Sequence, residues 1–221
     1  MKNITALYLI HCLFSFIAHG QSGFMKSYSI ENVQPFGVAI LAEESSYLIV
    51  SSCDYCLGFT CTGVVETDIN GVKLWDNLYE NAAGYLFPNL SNIKKIPDNN
   101  YVISGNSSYV GYSWQNFFLK ISSTGDSLRL LEYGEELYDK GGNMALIKGG
   151  IISLATTYQI DVEGHSKLFK INYGIDSMSV IPLPDIENCQ FTLSQDISTS
   201  PDSNFLALYE IGCRLDKIVL T

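Results

Sequence analysis

Apolar and polar positions alternate along this chain in short runs, and the runs return. Tyr47-Leu48-Ile49-Val50-Ser51 is echoed by Tyr101-Val102-Ile103-Ser104-Gly105, by Ile151-Ile152-Ser153-Leu154-Ala155 and by Phe205-Leu206-Ala207-Leu208-Tyr209. The step is about fifty residues, a period that belongs to solenoids, propellers and arrays. A second anchor keeps that step: Asp68-Ile69-Asn70-Gly71, Ser123-Thr124-Gly125 and Asn172-Tyr173-Gly174 each end a polar turn on glycine.

The second repeat shows the unit most clearly. Residues 92–96 begin a strand, and Pro97-Asp98-Asn99-Asn100 is turn chemistry throughout. Residues 101–104 form a β-branched and aromatic run, a polar loop spans 105–115, and 116–121 gives a third strand. Residues 122–126 turn the chain into a fourth strand over 127–133. These are hairpin-joined antiparallel strands. No segment sustains apolar spacing of three and four with caps at both ends, so almost no helix is expected. One such sheet cannot bury both faces alone, and radial repetition of four-stranded sheets is the β-propeller. A β-sandwich is the structural rival, but sandwiches need no sequence period. The expected fold is all-β: a propeller or partial propeller of four four-stranded repeats, each of roughly 50 residues.

The ends carry register information. Phe24-Met25-Lys26-Ser27-Tyr28 resembles Trp75-Asp76-Asn77-Leu78-Tyr79, a fourth strand, while Lys217-Ile218-Val219-Leu220-Thr221 matches a third. The first strand is therefore expected to complete the last sheet and lock the ring. The alternative is a fragment of a larger ring without autonomous function, whose open apolar edge would invite self-association. Residues 1–20 read as an export signal: Lys2, a mostly apolar stretch over 4–18, and Ala18-His19-Gly20 before cleavage at Gln21. His11 and Ser15 interrupt that stretch, which is short of the roughly 20 apolar residues of a membrane span. Residues 21–221 then form a single repeat domain that is secreted, at the cell surface or extracellular, with the periplasm as a further location.

The formal net charge of −10 repels phosphate backbones, which argues against nucleic acid as a partner. With 47% hydrophobic and 16% charged residues the composition is that of a folded chain. The cysteines after the signal are Cys53, Cys56, Cys61, Cys189 and Cys213. Cys53, Cys56 and Cys61 lack a nearby fourth ligand for a metal, and export favours disulfides. Cys53 with Cys61 across a hairpin and Cys189 with Cys213 are the expected pairs, leaving Cys56 alone; spacing leaves other pairings open.

The segment Val65-Glu66-Thr67-Asp68-Ile69-Asn70-Gly71-Val72-Lys73-Leu74-Trp75, with Asn99-Asn100-Tyr101-Val102-Ile103-Ser104-Gly105, resembles the repeat of secreted bacterial β-propeller proteins. The likeness runs over nearly all of 21–221. It implies a propeller fold and, for many such proteins, export by the type IX route through a C-terminal sorting domain, which no residues here match. Asp126-Ser127-Leu128 and Asp176-Ser177-Met178 look like the O-glycosylation triplets of bacteria with such systems.

Catalytic chemistry has little to stand on. There is no G-x-S-x-G elbow and no phosphate loop, and His165, beside Gly164, reads as a solvated residue of a hairpin loop. Gly141-Gly142 and Gly149-Gly150 read as turns around a short strand, Asp68-Ile69-Asn70-Gly71 as a turn without the later ligands of a calcium loop, and Trp75 as core. Paired carboxylates at a ring centre would suit a propeller glycosidase, with Glu66, Glu132, Glu135, Glu136 and Asp139 as candidates. The aromatic loop Tyr109-Val110-Gly111-Tyr112-Ser113-Trp114 offers flat rings with polar edges, suited to stacking on sugars or peptides. Its bland reading is packing between repeats. The reading taken forward is a secreted, non-catalytic module without metal or cofactor that contacts an extracellular protein or glycan through Tyr109, Tyr112 and Trp114. A propeller glycoside hydrolase is the alternative.

Overall fold

Short continuous apolar runs need a sheet with both faces covered, and the described residues form four sheets. The computed structural model describes residues 26–30, 33, 35–56, 59–79, 89–108, 114–134, 138–159, 162–182, 192–199, 205–211 and 214–220. The first sheet is β1 (Pro35–Ala42), β2 (Ser46–Cys56), β3 (Phe59–Asp68) and β4 (Lys73–Tyr79). The second is β5 (Asn89–Lys95), β6 (Tyr101–Ser108), β7 (Trp114–Ile121) and β8 (Ser127–Tyr133). The third is β9 (Tyr138–Ile147), β10 (Gly150–Gln159), β11 (Val162–Asn172) and β12 (Met178–Pro182). The fourth is β13 (Thr192–Thr199), β14 (Phe205–Ile211) and β15 (Arg214–Leu220). Each sheet is an antiparallel meander in chain order. No helix occurs among the described residues.

The sheets pack face to face as blades, in succession. Leu48, Val50 and Val64 of blade 1 meet Ile103, Phe117 and Leu119 of blade 2. The opposite face of blade 2, with Val102 and Phe118, meets Met144, Ile151 and Phe169 of blade 3. Ile152, Leu154 and Leu168 on the far face of blade 3 meet Ile197 of blade 4. Two-sided burial explains why β7 ends in an unbroken buried run, Asn116 to Ile121. The innermost strands follow one another, β1 against β5, β5 against β9, β9 against β13. This is a β-propeller. Among the described residues, no packing of that extent joins β13 back to β1.

Turns at one end repeat a single design. The amide of Gly71 donates to Asp68 O, that of Gly125 to Ser122 O, and that of Ile175 to Asn172 O. All three donors are left-handed, with φ of 73°, 86° and 54°. The third glycine of the sequence period, Gly174, is therefore displaced by one residue. Ile175 holds the slot instead, fully buried between blades 2 and 3. Two bonds tie such a turn to the preceding blade: Asn77 Nδ2 and Tyr79 Oη, on β4, donate to Gly125 O at 2.9 and 2.6 Å. Burial pushes the Tyr79 phenol up to about 12. Lys120 Nζ, from blade 2, donates to Asp98 Oδ2 at 2.7 Å and to Tyr173 O of blade 3 at 2.8 Å.

Three expectations change. Lys26–Ser29 is not in a strand, and β13, β14 and β15 form a three-stranded sheet among the described residues. Ile30 instead fills the outer face of blade 1 with Cys53, Cys61 and Val65. Gly141 and Gly142 are no turn: they lie inside β9, where the register with β10 shifts between Leu154 and Ala155. His165 sits within β11, opposite Thr157, rather than in the hairpin loop. The closing strand, by contrast, is the third of its sheet, as its likeness to a third strand implies.

Candidate functional site

The four innermost strands begin at one end of the propeller, opposite the repeated turns. Antiparallel pairing brings to that end the last residues of β2, β6 and β10 and the first of β3, β7 and β11. Two cross-strand rows define its chemistry. In blade 2, Asn89, Asn106, Asn116 and Tyr133 lie side by side. In blade 3, Asp139, Thr157 and His165 do so.

Blade 2 is the best defined. Asn106 Nδ2 donates to Asn116 Oδ1 at 2.9 Å, and both side chains are buried. Ser104 Oγ, on the same face, donates to Gly142 O of blade 3, which stitches the amide pair into the interblade seam. On the other face Ser107 Oγ donates to Glu132 Oε1 at 3.3 Å. Asn116 Nδ2 is buried without a hydrogen-bond partner, as is Thr62 Oγ1 in the matching row of blade 1. An amide donor left this way costs about 1–3 kcal/mol unless an acceptor reaches it. Trp114 stands at the mouth of the row, partly exposed, two residues before Asn116 and so on the same face of β7. Tyr133 closes the row from β8, its ring edge-on to Phe169 of blade 3 at 4.7 Å. A flat indole beside fixed amides and hydroxyls is the chemistry that receives a polyhydroxylated ring: one face to stack on, donors and acceptors at its edge.

The expected residues divide. Trp114 belongs to this row, whereas Tyr109 and Tyr112 lie outside the described residues. Glu66 and Glu132 do not form a pair. Glu66 lies near the repeated turns, where the Trp75 indole donates to its Oε2, while Glu132 lies at the opposite end of β8. Glu135 and Glu136 fall outside the described residues. Asp139 is on innermost strand β9, and β13 contributes Asp196, which is exposed. Neither β1 nor β5 contains an Asp or Glu. Cys53 and Cys61 face each other in register but are not bonded to each other. Cys61 is disulfide-bonded, whereas Cys53 carries a buried thiol whose sulfur lies 3.6 Å from Ser51 Oγ. Gly63 makes that position possible, because a Cβ there would meet the Cys53 sulfur at 2.6 Å. Cys189 and Cys213 lie outside the described residues. Among the described residues no group of three His, Cys, Asp or Glu gathers to hold a metal. Among the described residues no helix is long and apolar enough to cross a membrane.

The Asn106–Asn116 pair is absent from the sequence expectations because residues 105–115 read as loop. The strands run on into that loop, to Ser108 and from Trp114. The signal that locates the pair is register: continuing the Tyr101–Ile121 ladder sets Asn106 opposite Asn116.

No family model matches the chain, and no curated protein matches it in sequence. Solved structures match in fold. A GH43 β-1,3-galactosidase determined with galactodeoxynojirimycin is 7% identical with a TM-score of 0.53, over 77% of this chain and 65% of that one. A thermostable family-43 glycoside hydrolase is 8% identical with a TM-score of 0.51, over 85% of this chain and 72% of that one. This chain thus spans about two thirds of the galactosidase's length. At these identities the likeness is one of fold.

Proposed function

We propose that the protein is an exported glycan-contacting propeller that binds without hydrolysis, at the end where the innermost strands begin. The observation that carries this reading is the blade 2 row, in which Asn106 and Asn116 are locked together beside the partly exposed Trp114. The fold shared with two family-43 glycoside hydrolases supports a sugar ligand. The composition of β1 and β5, without Asp or Glu, supports binding over acid–base chemistry. A net charge of −10 favours a neutral glycan over a uronate polymer. Export through residues 1–20 is part of the proposal, as is contact with a surface glycan or glycoprotein. The test is calorimetric titration with a β-1,3-linked galacto-oligosaccharide, with released reducing ends counted in the same sample. Binding that weakens about tenfold, or ~1.4 kcal/mol, in Trp114→Ala is expected, without release of sugar.

The second reading, a glycoside hydrolase, rests on Asp139 and Asp196 lying on the neighbouring innermost strands β9 and β13. Two carboxyls about 5–9.5 Å apart are sufficient for that chemistry. Sugar release that disappears in Asp139→Asn while binding persists would establish it in place of the first reading.

A further inference from the structure

The row that carries the proposed site has a counterpart one repeat earlier. In blade 1, Phe36, Ser52, Thr62 and Tyr79 lie side by side across β1 to β4. Asn89, Asn106, Asn116 and Tyr133 do so across β5 to β8. Thr62 and Asn116 hold the same slot. Each stands six residues before the acceptor of the repeated turn bond, Asp68 or Ser122, and each pairs with a tyrosine of the fourth strand. That slot also carries the two buried side-chain polar atoms that lack a hydrogen-bond partner among the described residues, Thr62 Oγ1 and Asn116 Nδ2. Alternation puts Thr62 on the face of Val64 and Ser52 on that of Val50, and both valines pack toward blade 2. Phe36, directly opposite Ser52, shares that face.

The rows differ at the innermost strand. Blade 2 begins its row with Asn89, whereas blade 1 begins with a phenylalanine that is 57% exposed. Behind that ring the row runs inward to Thr62, which is fully buried. A flat apolar ring at the mouth, with hydroxyls behind it, repeats the chemistry of Trp114 beside the amide pair: a face to stack on and polar groups at its edge. Sheets packed face to face lie about 10 Å apart, so equivalent positions of neighbouring blades are more than one sugar ring apart. We infer that Phe36 is a second stacking platform, and that the ligand is an oligosaccharide reaching from the Trp114 row across the start of β5 to the seam between blades 1 and 2. The inference rests on the glycan-binding reading and adds to it the length of the ligand. A single sugar ring reaches one row, and a longer chain reaches both.

Calorimetric titration of the full chain with a β-1,3-linked galactodisaccharide and with the matching tetrasaccharide tests this. In the unaltered protein the tetrasaccharide is expected to bind about tenfold more tightly than the disaccharide, and Phe36→Ala should abolish that gain. Phe36→Tyr should keep the gain, because the ring persists, and Phe36→Leu should lose it although the position stays apolar. Leu74→Ala is the control: it removes an equally exposed apolar side chain, 57% exposed, at the opposite end of the blade. It should leave both affinities as they are. Equal affinity for the two sugars would overturn the inference alone, as would a gain that survives Phe36→Ala or Phe36→Leu. Binding of neither sugar would instead overturn the glycan-binding reading, and this inference with it. A dimer mass in light scattering that becomes monomeric in Phe36→Ala would also overturn it, since the ring would then be covered by a second copy.

Discussion

Ile175 shows how a single residue can break a sequence rule and keep the structure. A β-branched residue with φ of 54° is strained, because its Cβ crowds the backbone in the left-handed region. Full burial between Phe169, Met144 and their neighbours offsets that strain. Ile175→Gly should relieve about 1–2 kcal/mol of strain and forfeit about 2–5 kcal/mol of buried side chain. The expected net result is a loss of stability, read as a lower denaturant midpoint with unchanged m. Tyr79 provides a pH test. Its phenol is raised from 10.0 to about 12 by burial, so the native state resists ionising where the unfolded chain ionises freely. Its contribution is complete below pH 10.0 and is lost as the pH rises through about 12. Tyr79→Phe should lose about 0.5–1.5 kcal/mol at neutral pH with the bond to Gly125 O. The gap to the unaltered protein should then narrow in urea melts taken above pH 10.0.

At the scale of elements, strands were legible wherever apolar runs alternate, and illegible where polar residues pair by register alone. Residues 101–104 and 116–121 read directly as strands because β-branched and aromatic side chains fill both interblade cores. Gly105 to Ser108 and Trp114 to Gln115 read as loop, yet their ladder is supplied by the hairpin's existing register. Gly141 and Gly142 looked like a turn for a similar reason, whereas a bulge absorbs them within β9. Interblade links are equally hidden in sequence. Nothing about Lys120 announces that it reaches Asp98 and the Tyr173 carbonyl from a largely buried position. Removing it should separate blades 2 and 3 energetically. Lys120→Met is expected to cost about 1.5–3 kcal/mol in chemical denaturation, since it deletes bonds made by a charged donor and orphans the carbonyl.

On the scale of the molecule, the fifty-residue period was sufficient to specify the propeller, because stacking blades is how repeated four-stranded sheets bury both faces. The site was only partly legible. Trp114 was visible as an exposed-type aromatic in a polar stretch, but the amides beside it acquire meaning only once blades 2 and 3 meet and Ser104 reaches Gly142 O. Of the five candidate carboxylates, Glu66 and Glu132 are kept apart for a geometric reason: alternate strands run in opposite directions, which sends Glu66 toward one end and Glu132 toward the other. Cys53 and Cys61 teach a related lesson, since facing positions in a ladder permit a bond without requiring one. The most direct test of the account is a chemical-shift map of the protein titrated with a neutral β-1,3-linked galacto-oligosaccharide. The account predicts that the Trp114 indole and the Asn106 and Asn116 side-chain amides move together and saturate. Shifts confined to the turns around Gly71 and Gly125, or none at this row at saturating sugar, would contradict it.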